Sequence, residues 1–528
     1  MGNQVSTFPE RPENFSYFSF TFCWDTIKLI DAPDDIVELI STTISENYSI
    51  NIQGITSSKS GKAVQLKFDG FPFIPNSSKE TAVATKLMLC ALLETLAING
   101  WQLVLSSDLS RLYDSSTLFF RRTPEYSQRP CKIICLSLSA YDKLQLINAA
   151  PQVYSVLVSC AGDLIQKQSA NENFFEIQLA GNFWASVTSL NDFLARSLLL
   201  KCFIEFQKVN YRYYGTANIK GTADCIFFIS DGQILSEFDH CMLSLNRNDR
   251  IRLIGAPSEA IQAVSKCIGT YWTKGLQKAG PKENGLYYEY KLAGNPWWSY
   301  GLEAVETRLL ISLIMQYMSG IGWEIVTALD ISRLPNDKAV FIFRRCAAAN
   351  VPHFAISPAG YDRIRIINAD KEMVEFVDNI IRASWTAGIQ KTGLYGNSFE
   401  IKLGGFPWAT SGHGGTTFEL CRMLMTRLLL GLETRGWKVA CSADVSSKHD
   451  NNGYNSKRAL DVNTWFVAYR GQTQVPSVAA AQSYPVPSAP TLPSSHFVCP
   501  HDAPPSYEEA VRTSSTSPLC YGATNRGF

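Results

Sequence analysis

Histidine is scarce in this chain of 528 residues, and the six present lie at 240, 353, 413, 449, 496 and 501. They form no Cys/His cluster with zinc-ligand spacing, and Cys131-x-x-x-Cys135 has no partner pair. Gly412-His413-Gly414-Gly415 has the look of an oxyanion loop, but the Gly-x-Ser-x-Gly elbow that should accompany one is missing. A Walker-type phosphate loop is missing too. These absences predict a protein that is not an enzyme and holds no metal or cofactor. Charge of either sign is not in excess: Lys+Arg is 48, Asp+Glu is 47 and the net charge is +1. A chain built mainly to grip nucleic acid carries a basic surplus, so there is no strong case for nucleic acid. The most apolar run, Leu309 to Met318, falls short of the ~18–20 residues that span a bilayer. No basic segment followed by an apolar stretch marks a secretory signal. The 14 cysteines are scattered, mostly within apolar runs, with no dense disulfide pattern. That usage predicts a reducing, cytoplasmic compartment.

What the chain has is a repeat. Four runs align: Asp25 to Ile30, Asp142 to Ile147, Asp249 to Ile254 and Asp362 to Ile367. A strand ending in Gly70, Gly181, Gly294 or Gly405 follows each, and three residues later comes Phe73, Trp184, Trp297 or Trp408. A long apolar helix is then closed by Gly100-Trp101, Asn210-Tyr211, Gly322-Trp323 or Gly436-Trp437. Seven residues past each closing aromatic stands Asp108, Asn218, Asp330 or Asp444, and an aromatic strand ends the unit. Ordered landmarks recurring in this way are the signature of a tandem-repeat architecture. The reading is an α+β fold of four repeats of about 110 residues, each ββαβαββ, with helices on one face of a mainly antiparallel sheet. The boundaries are 1–18 for an N-terminal segment, 19–127, 128–234 (the diverged copy), 235–347 and 348–471 for the repeats, and 472–528 for a tail.

Glycine before tryptophan suits a left-handed helix C-cap. Ser77-x-x-Glu80 and Thr416-x-x-Glu419 have capping-box spacing. Helix starts fall near Asp31-Ala-Pro33, Gly255-Ala-Pro257 and Asn368-Ala-Asp370. Asp108, Asp330 and Asp444 each precede a serine by two residues, the pattern of a turn that closes a hairpin and also of a carboxylate presented by a loop. The pairs Arg121-Arg122 and Arg344-Arg345 end strands, where they either blunt an edge or hold phosphate or acidic lipid. These seven residues are the candidate site within the repeats.

The two ends carry docking signals. Met1-Gly2-x-x-x-Ser6 fits the myristoylation pattern, with Gly2 as the acyl acceptor. One such chain gives only reversible membrane attachment, so a second contribution is needed, self-association among the options. Past Gly471 the chain turns rich in Pro, Ser, Thr and Ala, and no lysine follows Lys457. That composition predicts a disordered tail. Within it lie Pro487-Ser488-Ala489-Pro490 and Pro504-Pro505-Ser506-Tyr507. These tetrapeptides resemble the late-domain motifs of retroviral Gag proteins and alpha-arrestin-type adaptors. By that resemblance Pro504, Pro505 and Tyr507 dock WW domains of Nedd4-type ubiquitin ligases. Pro487, Ser488, Ala489 and Pro490 dock the ubiquitin-E2-variant domain of ESCRT-I. The expected function is a cytoplasmic adaptor, peripheral at the plasma membrane or endosomes, that recruits this machinery for sorting or budding. The alternatives are a ligand-binding or enzymatic repeat protein with an incidental tail, favoured if the Asp and Arg residues meet in one pocket, and a phosphate- or RNA-binding array.

Overall fold

Tyr17-Phe18-Ser19-Phe20-Thr21-Phe22-Cys23 alternates large rings with smaller or polar side chains, as a strand with two different faces must. In the computed structural model every residue of this run is buried. The structure describes residues 16–471 apart from residues 48–49, 75–76, 111–115, 124–127, 172–173, 187, 220–224, 234–237, 333–337, 411–414, 447–448, 451–457 and 460–461. Gly2, Pro487 to Pro490 and Pro504 to Tyr507 lie outside the described residues.

The first repeat runs β1 (Tyr17–Cys23), β2 (Thr26–Ile30), α1 (Asp34–Asn47), β3 (Ile52–Ser57), β4 (Ala63–Phe68), α2 (Lys79–Ile98), β5 (Trp101–Ser107) and β6 (Thr117–Arg122). The second runs β7 (Lys132–Ser139), β8 (Lys143–Ile147), α3 (Pro151–Ala161), β9 (Ile165–Ala170), β10 (Phe174–Leu179), α4 (Ser189–Lys208), β11 (Arg212–Ala217) and β12 (Cys225–Ser230). The third runs β13 (His240–Asn246), β14 (Arg250–Ile254), α5 (Ser258–Tyr271), β15 (Leu276–Lys282), β16 (Tyr287–Leu292), α6 (Gly301–Gly320), β17 (Trp323–Leu329) and β18 (Val340–Arg345). The fourth runs β19 (His353–Ala359), β20 (Arg363–Ile367), α7 (Lys371–Ser384), β21 (Ile389–Leu394), β22 (Ser398–Leu403), α8 (Thr416–Thr434), β23 (Trp437–Ala443), a short β24 (His449–Asp450) with β25 (Arg458–Ala459), and β26 (Thr464–Tyr469). Each repeat forms one six-stranded antiparallel sheet, in the order β3-β4-β2-β1-β6-β5 for the first.

The α+β repeat stands, but its order is ββαββαββ, one strand more than ββαβαββ. The added strand, β3, β9, β15 or β21, is the outer edge of its sheet. Ile165-Gln-Lys-Gln-Ser-Ala170 is exposed after its first residue, so no hydrophobic alternation announces it. Lys167, Lys278 and Lys391 sit on three of these edges, where a charge discourages pairing with another chain. Two helix starts also shift. Ser78, not Ser77, caps α2, its hydroxyl accepting from Thr81 N at 3.1 Å. Gly415 holds the cap position of α8, so Thr416 is already helical.

Within each repeat both helices lie on one sheet face, as expected, and a helix of the preceding repeat covers the other. Phe18, Phe20 and Phe22 share a core with Ile36, Ile40, Leu89 and Leu93 of their own helices. The alternate residues of β1 face α8 of the fourth repeat. In the same way α2 packs on β7 and β8, α4 on β13 and β14, and α6 on β19 and β20. Since α8 packs on β1 and β2, the array closes on itself. The helix α2 is long and apolar enough to cross a membrane. Here its apolar surface is taken up between the first and second sheets, Leu89, Leu92, Leu93 and Leu96 being fully buried.

A buried cation recurs at each joint: Lys86, Arg196, Arg308 and Arg422. Lys86 Nζ donates to Gln145 Oε1 at 3.0 Å, Arg196 Nε to Ser244 Oγ at 2.6 Å, and Arg308 Nε to Thr464 Oγ1 at 3.0 Å. The Arg422 guanidinium lies 3.5 Å from the centroid of the Phe418 ring. At the closing joint Ser58 and Ser60 also donate to Glu419 Oε2, at 3.2 and 2.5 Å.

The left-handed caps are present at Gly100, Asn210, Gly322 and Gly436, with φ of 77°, 61°, 84° and 76°. The recurring tryptophans are core anchors. Trp184, Trp297 and Trp408 are at most 1% exposed, and their Nε1 groups donate to Lys143 O, Arg250 O and Arg363 O at 2.9, 2.9 and 2.8 Å. Trp297→Ala is expected to destabilise the body by about 3–5 kcal/mol, through lost burial and the cavity left behind. Urea unfolding measures it, and a loss below about 1 kcal/mol contradicts the anchor role.

Candidate functional site: an axial cavity

The innermost strand of each sheet ends in the Asp or Asn landmark. Strands β5, β11, β17 and β23 come together where the four repeats meet, and each carries a bulge near its middle. A bulge bends and twists a strand locally. At Gly215 on β11 an added Cβ would lie 2.4 Å from Leu103 Cδ2 on β5, so a larger residue here would have to displace that side chain. Tyr213 and Tyr214, from the diverged second repeat, fill the space between the strands. Tyr213 OH lies 2.7 Å from Thr327 Oγ1, and Tyr214 OH accepts from Leu103 N at 3.2 Å. Burial pushes the Tyr214 phenol up, so it stays protonated.

Above these rings the strand ends enclose one cavity of about 150 Å³. Asp108, Asn218, Asp330 and Asp444, one from each repeat, line it. Ser106, Thr216 and Ser442, two residues earlier on three of the strands, add hydroxyls, and Ser110, Ser116, Lys338 and Asn463 are further polar lining residues among those described. Neighbouring repeats are stitched here through the backbone: Ser116 N donates to Asn218 O at 2.9 Å, Ala339 N to Asp444 O at 3.0 Å, and Asn463 N to Asp108 O at 3.3 Å.

The Asp-x-Ser pattern has a structural job. Asp330 Oδ1 accepts from Ser332 N at 3.2 Å and Asp444 Oδ1 from Ser446 N at 3.0 Å, which are Asx turns. Asp108 Oδ1 accepts from Ser116 Oγ at 3.0 Å. The serine then reaches the preceding repeat: Ser110 Oγ donates to Thr410 O at 2.5 Å, and Ser446 Oγ to Ser299 O at 3.2 Å.

The arginine pairs do not join the aspartates. On β6, Thr117 stands opposite Ser107 at the cavity end, while Arg121 stands opposite Gln102, about 13 Å further along at ~3.3 Å per residue. Arg121 pairs with Glu433, which also accepts from Tyr17 OH at 2.6 Å. Arg344 pairs with Glu324, and Arg345 with Glu259 at 3.2 Å. Arg122 is exposed at the strand end. These residues serve strand ends and joints, so a combined Arg and Asp pocket does not form. Among the described residues no group of His, Cys, Asp and Glu has metal-site geometry. Lys338 was not legible as a site residue. The hydroxyls two residues before the Asp are the signal that could have found Ser106, Thr216 and Ser442.

One domain-family model matches the chain four times, over residues 17–121, 132–229, 239–344 and 352–468. The chain belongs to that family. Each of its four domains contributes one strand end to the cavity, so the cavity belongs to the assembled ring and not to a single domain. No curated protein and no solved structure matches the chain.

Proposed function

We propose that the protein is an adaptor whose closed four-domain body carries recruitment motifs for the ubiquitin and ESCRT machinery. The observation that carries this is the pair Pro487-Ser488-Ala489-Pro490 and Pro504-Pro505-Ser506-Tyr507 within a stretch that has no lysine. A proline-rich segment is already extended, so docking into an aromatic groove orders little chain, and Tyr507 adds a flat amphipathic anchor. A ligase bound there must find its acceptor elsewhere. The body offers exposed lysines such as Lys371, whose side chain is 91% exposed.

Gly2 is the proposed acyl acceptor for reversible membrane attachment. Tyr17 and Arg470 both touch the end of α8, Tyr17 OH donating to Glu433 and Arg470 N to Gly436 O at 2.7 Å. The first strand and the last described residues therefore meet at one seam of the ring.

Affinity purification from cells, with full-length protein beside Pro505→Ala/Tyr507→Ala, tests the reading. WW-domain ligases are expected with the first and not the second. Equal recovery by both, or by neither, overturns it.

A further inference from the structure

Exposed aromatic rings recur at two equivalent positions of the repeat. The residue before each aligned Asp is Trp24, Tyr141, Asn248 or Tyr361, and the residue after each strand-ending glycine is Phe71, Asn182, Asn295 or Phe406. The five rings are between 37% and 64% exposed. The two positions adjoin. Phe73 N donates to Trp24 O at 3.0 Å and Trp408 N to Tyr361 O at 3.2 Å, and the Tyr361 and Phe406 rings meet edge to face with centroids 6.4 Å apart. Turn geometry does not demand aromatics here, since Asn holds both positions in the third repeat.

Both positions lie at the cavity end of the ring. Thr117 stands opposite Ser107 at the cavity and opposite Thr21 just before the β1–β2 turn. In the fourth repeat Ala443 stands opposite Thr464, and Ile356 opposite Trp465, which puts the β19–β20 turn at the same end. Four equivalent units closed about one axis bring equivalent positions to one face. The tips also pair their own charges, Lys67 lying 4.0 Å from Asp25 and Lys402 3.7 Å from Asp362. Tyr17 and Tyr469 stand at the other end of their strands, opposite Arg121 and Trp437. Gly2 precedes Ser16 by 14 residues. That length spans up to about 46 Å, against about 26 Å for the eight residues from Ser16 to Trp24. An acyl group on Gly2 can therefore reach the level of the rings.

We propose that this face is a membrane-contact surface, on which Trp24, Phe71, Tyr141, Tyr361 and Phe406 seat in the interfacial layer of a zwitterionic bilayer. It rests on the membrane part of the adaptor reading and asks nothing of the tail. Aromatic rings favour the boundary between headgroups and acyl chains. One acyl chain gives only reversible attachment, and the rings supply the second contribution. Separate rings on turn tips form no groove for a helix or strand to fill, whereas a fluid surface adapts to their spacing. Tips with internally paired charges need no anionic lipid.

The test is flotation of the full chain carrying Gly2→Ala, which removes the acyl acceptor, with phosphatidylcholine vesicles. The protein is expected to float, with little dependence on salt. Phe71→Ser and Phe406→Ser are each expected to lower the partition coefficient about tenfold, and together about a hundredfold, while the melting temperature stays unchanged. Leu394→Ser removes another exposed side chain, 87% exposed and at the opposite end of β22 from Lys402, and is expected to change nothing. Brominated lipid is expected to quench the emission of the parent chain more than that of Trp24→Phe. Absence of flotation overturns the proposal. So does flotation that the ring substitutions leave unchanged, or that high salt abolishes. A lipid-free dimer that the ring substitutions dissociate overturns it in favour of a second copy as occupant. Recovery of WW-domain ligases is measured separately and without vesicles, so failure here and failure of the adaptor reading are told apart.

Discussion

Between pH 7 and pH 4.5 the ring is expected to lose several kcal/mol of stability, through His240 and His353. These open β13 and β19 and are 8% and 4% exposed. Their Nδ1 atoms lie 3.0 Å from Phe238 O and 2.7 Å from Val351 O. A carbonyl only accepts, so Nδ1 carries the proton of a neutral ring. Burial pushes both imidazoles down to about 4, and Arg344 beside the first and Arg470 beside the second act in the same direction. In the unfolded chain both titrate near ~6.5. Between those values the unfolded chain binds more protons than the folded one, so stability rises with pH across the window. It is fully present above about 6.5 and is lost as pH falls toward about 4, by about 3 kcal/mol per histidine.

Carboxylates act in the same direction, but lower. Burial raises Glu324, yet Arg344 and Arg470 outweigh it and hold the carboxyl below the usual range. Its stabilising pairing is lost only further into acid, which separates the two effects. Urea unfolding from pH 7.5 to 4.8 measures the slope, and His240→Gln with His353→Gln should flatten it. A flat profile in the unsubstituted protein, or an unchanged slope in the double variant, contradicts the assignment.

The second large effect is expected at Arg252, which joins the second repeat to the third. Its register partner across the sheet is Glu289, with Nε 2.9 Å from Oε2. Nη1 lies 2.7 Å from Asp192 Oδ2 on α4, Nη2 donates to Ser189 Oγ at 3.3 Å, and the guanidinium lies 4.9 Å from the centroid of the Tyr287 ring. Arg252 and Glu289 are 2% and 4% exposed. Arg252→Ala takes one of two guanidinium partners from buried Glu289, whose Oε1 keeps Arg250 Nη1 at 2.7 Å, and one from Asp192, and is expected to cost about 2–3 kcal/mol. Replacing both ends of the pair, Arg252→Met with Glu289→Leu, should recover part of that, because the buried carboxylate is gone and the partly exposed Arg250 keeps Asp249 beside it at 3.8 Å. A loss below about 1 kcal/mol for the single substitution counts against the network as a joint, and a double variant as unstable as the single counts against burial of charge as the cause.

Much of the repeat was legible because it depends on local chemistry. The left-handed cap before Trp101, Trp323 and Trp437 needs glycine whatever surrounds it, and Asn210 meets the same demand. The Asp-x-Ser turn closes on itself within three residues. Trp184, Trp297 and Trp408 are large enough that a core position was the natural expectation. The edge strands were hidden for the converse reason. A strand such as β9, exposed along most of its length, shows no period of two in hydropathy. The joint residues Lys86, Arg196, Arg308 and Arg422 did leave a trace, as the cation recurring at one place in an otherwise apolar helix.

By itself the sequence determined the number of repeats, their α+β character, the caps, the turns and the aromatic anchors. Each of these follows from backbone preference, side-chain volume or hydrophobic period within a few residues. Only the tertiary structure decided that the array closes, with α8 on β1, and that both faces of each sheet are covered. It also decided that the Asp loops share one cavity while the arginine pairs end the neighbouring strands β6 and β18 away from it. Those outcomes are set by how four equivalent units meet, and contacts between residues hundreds of positions apart leave no spacing in the chain to read.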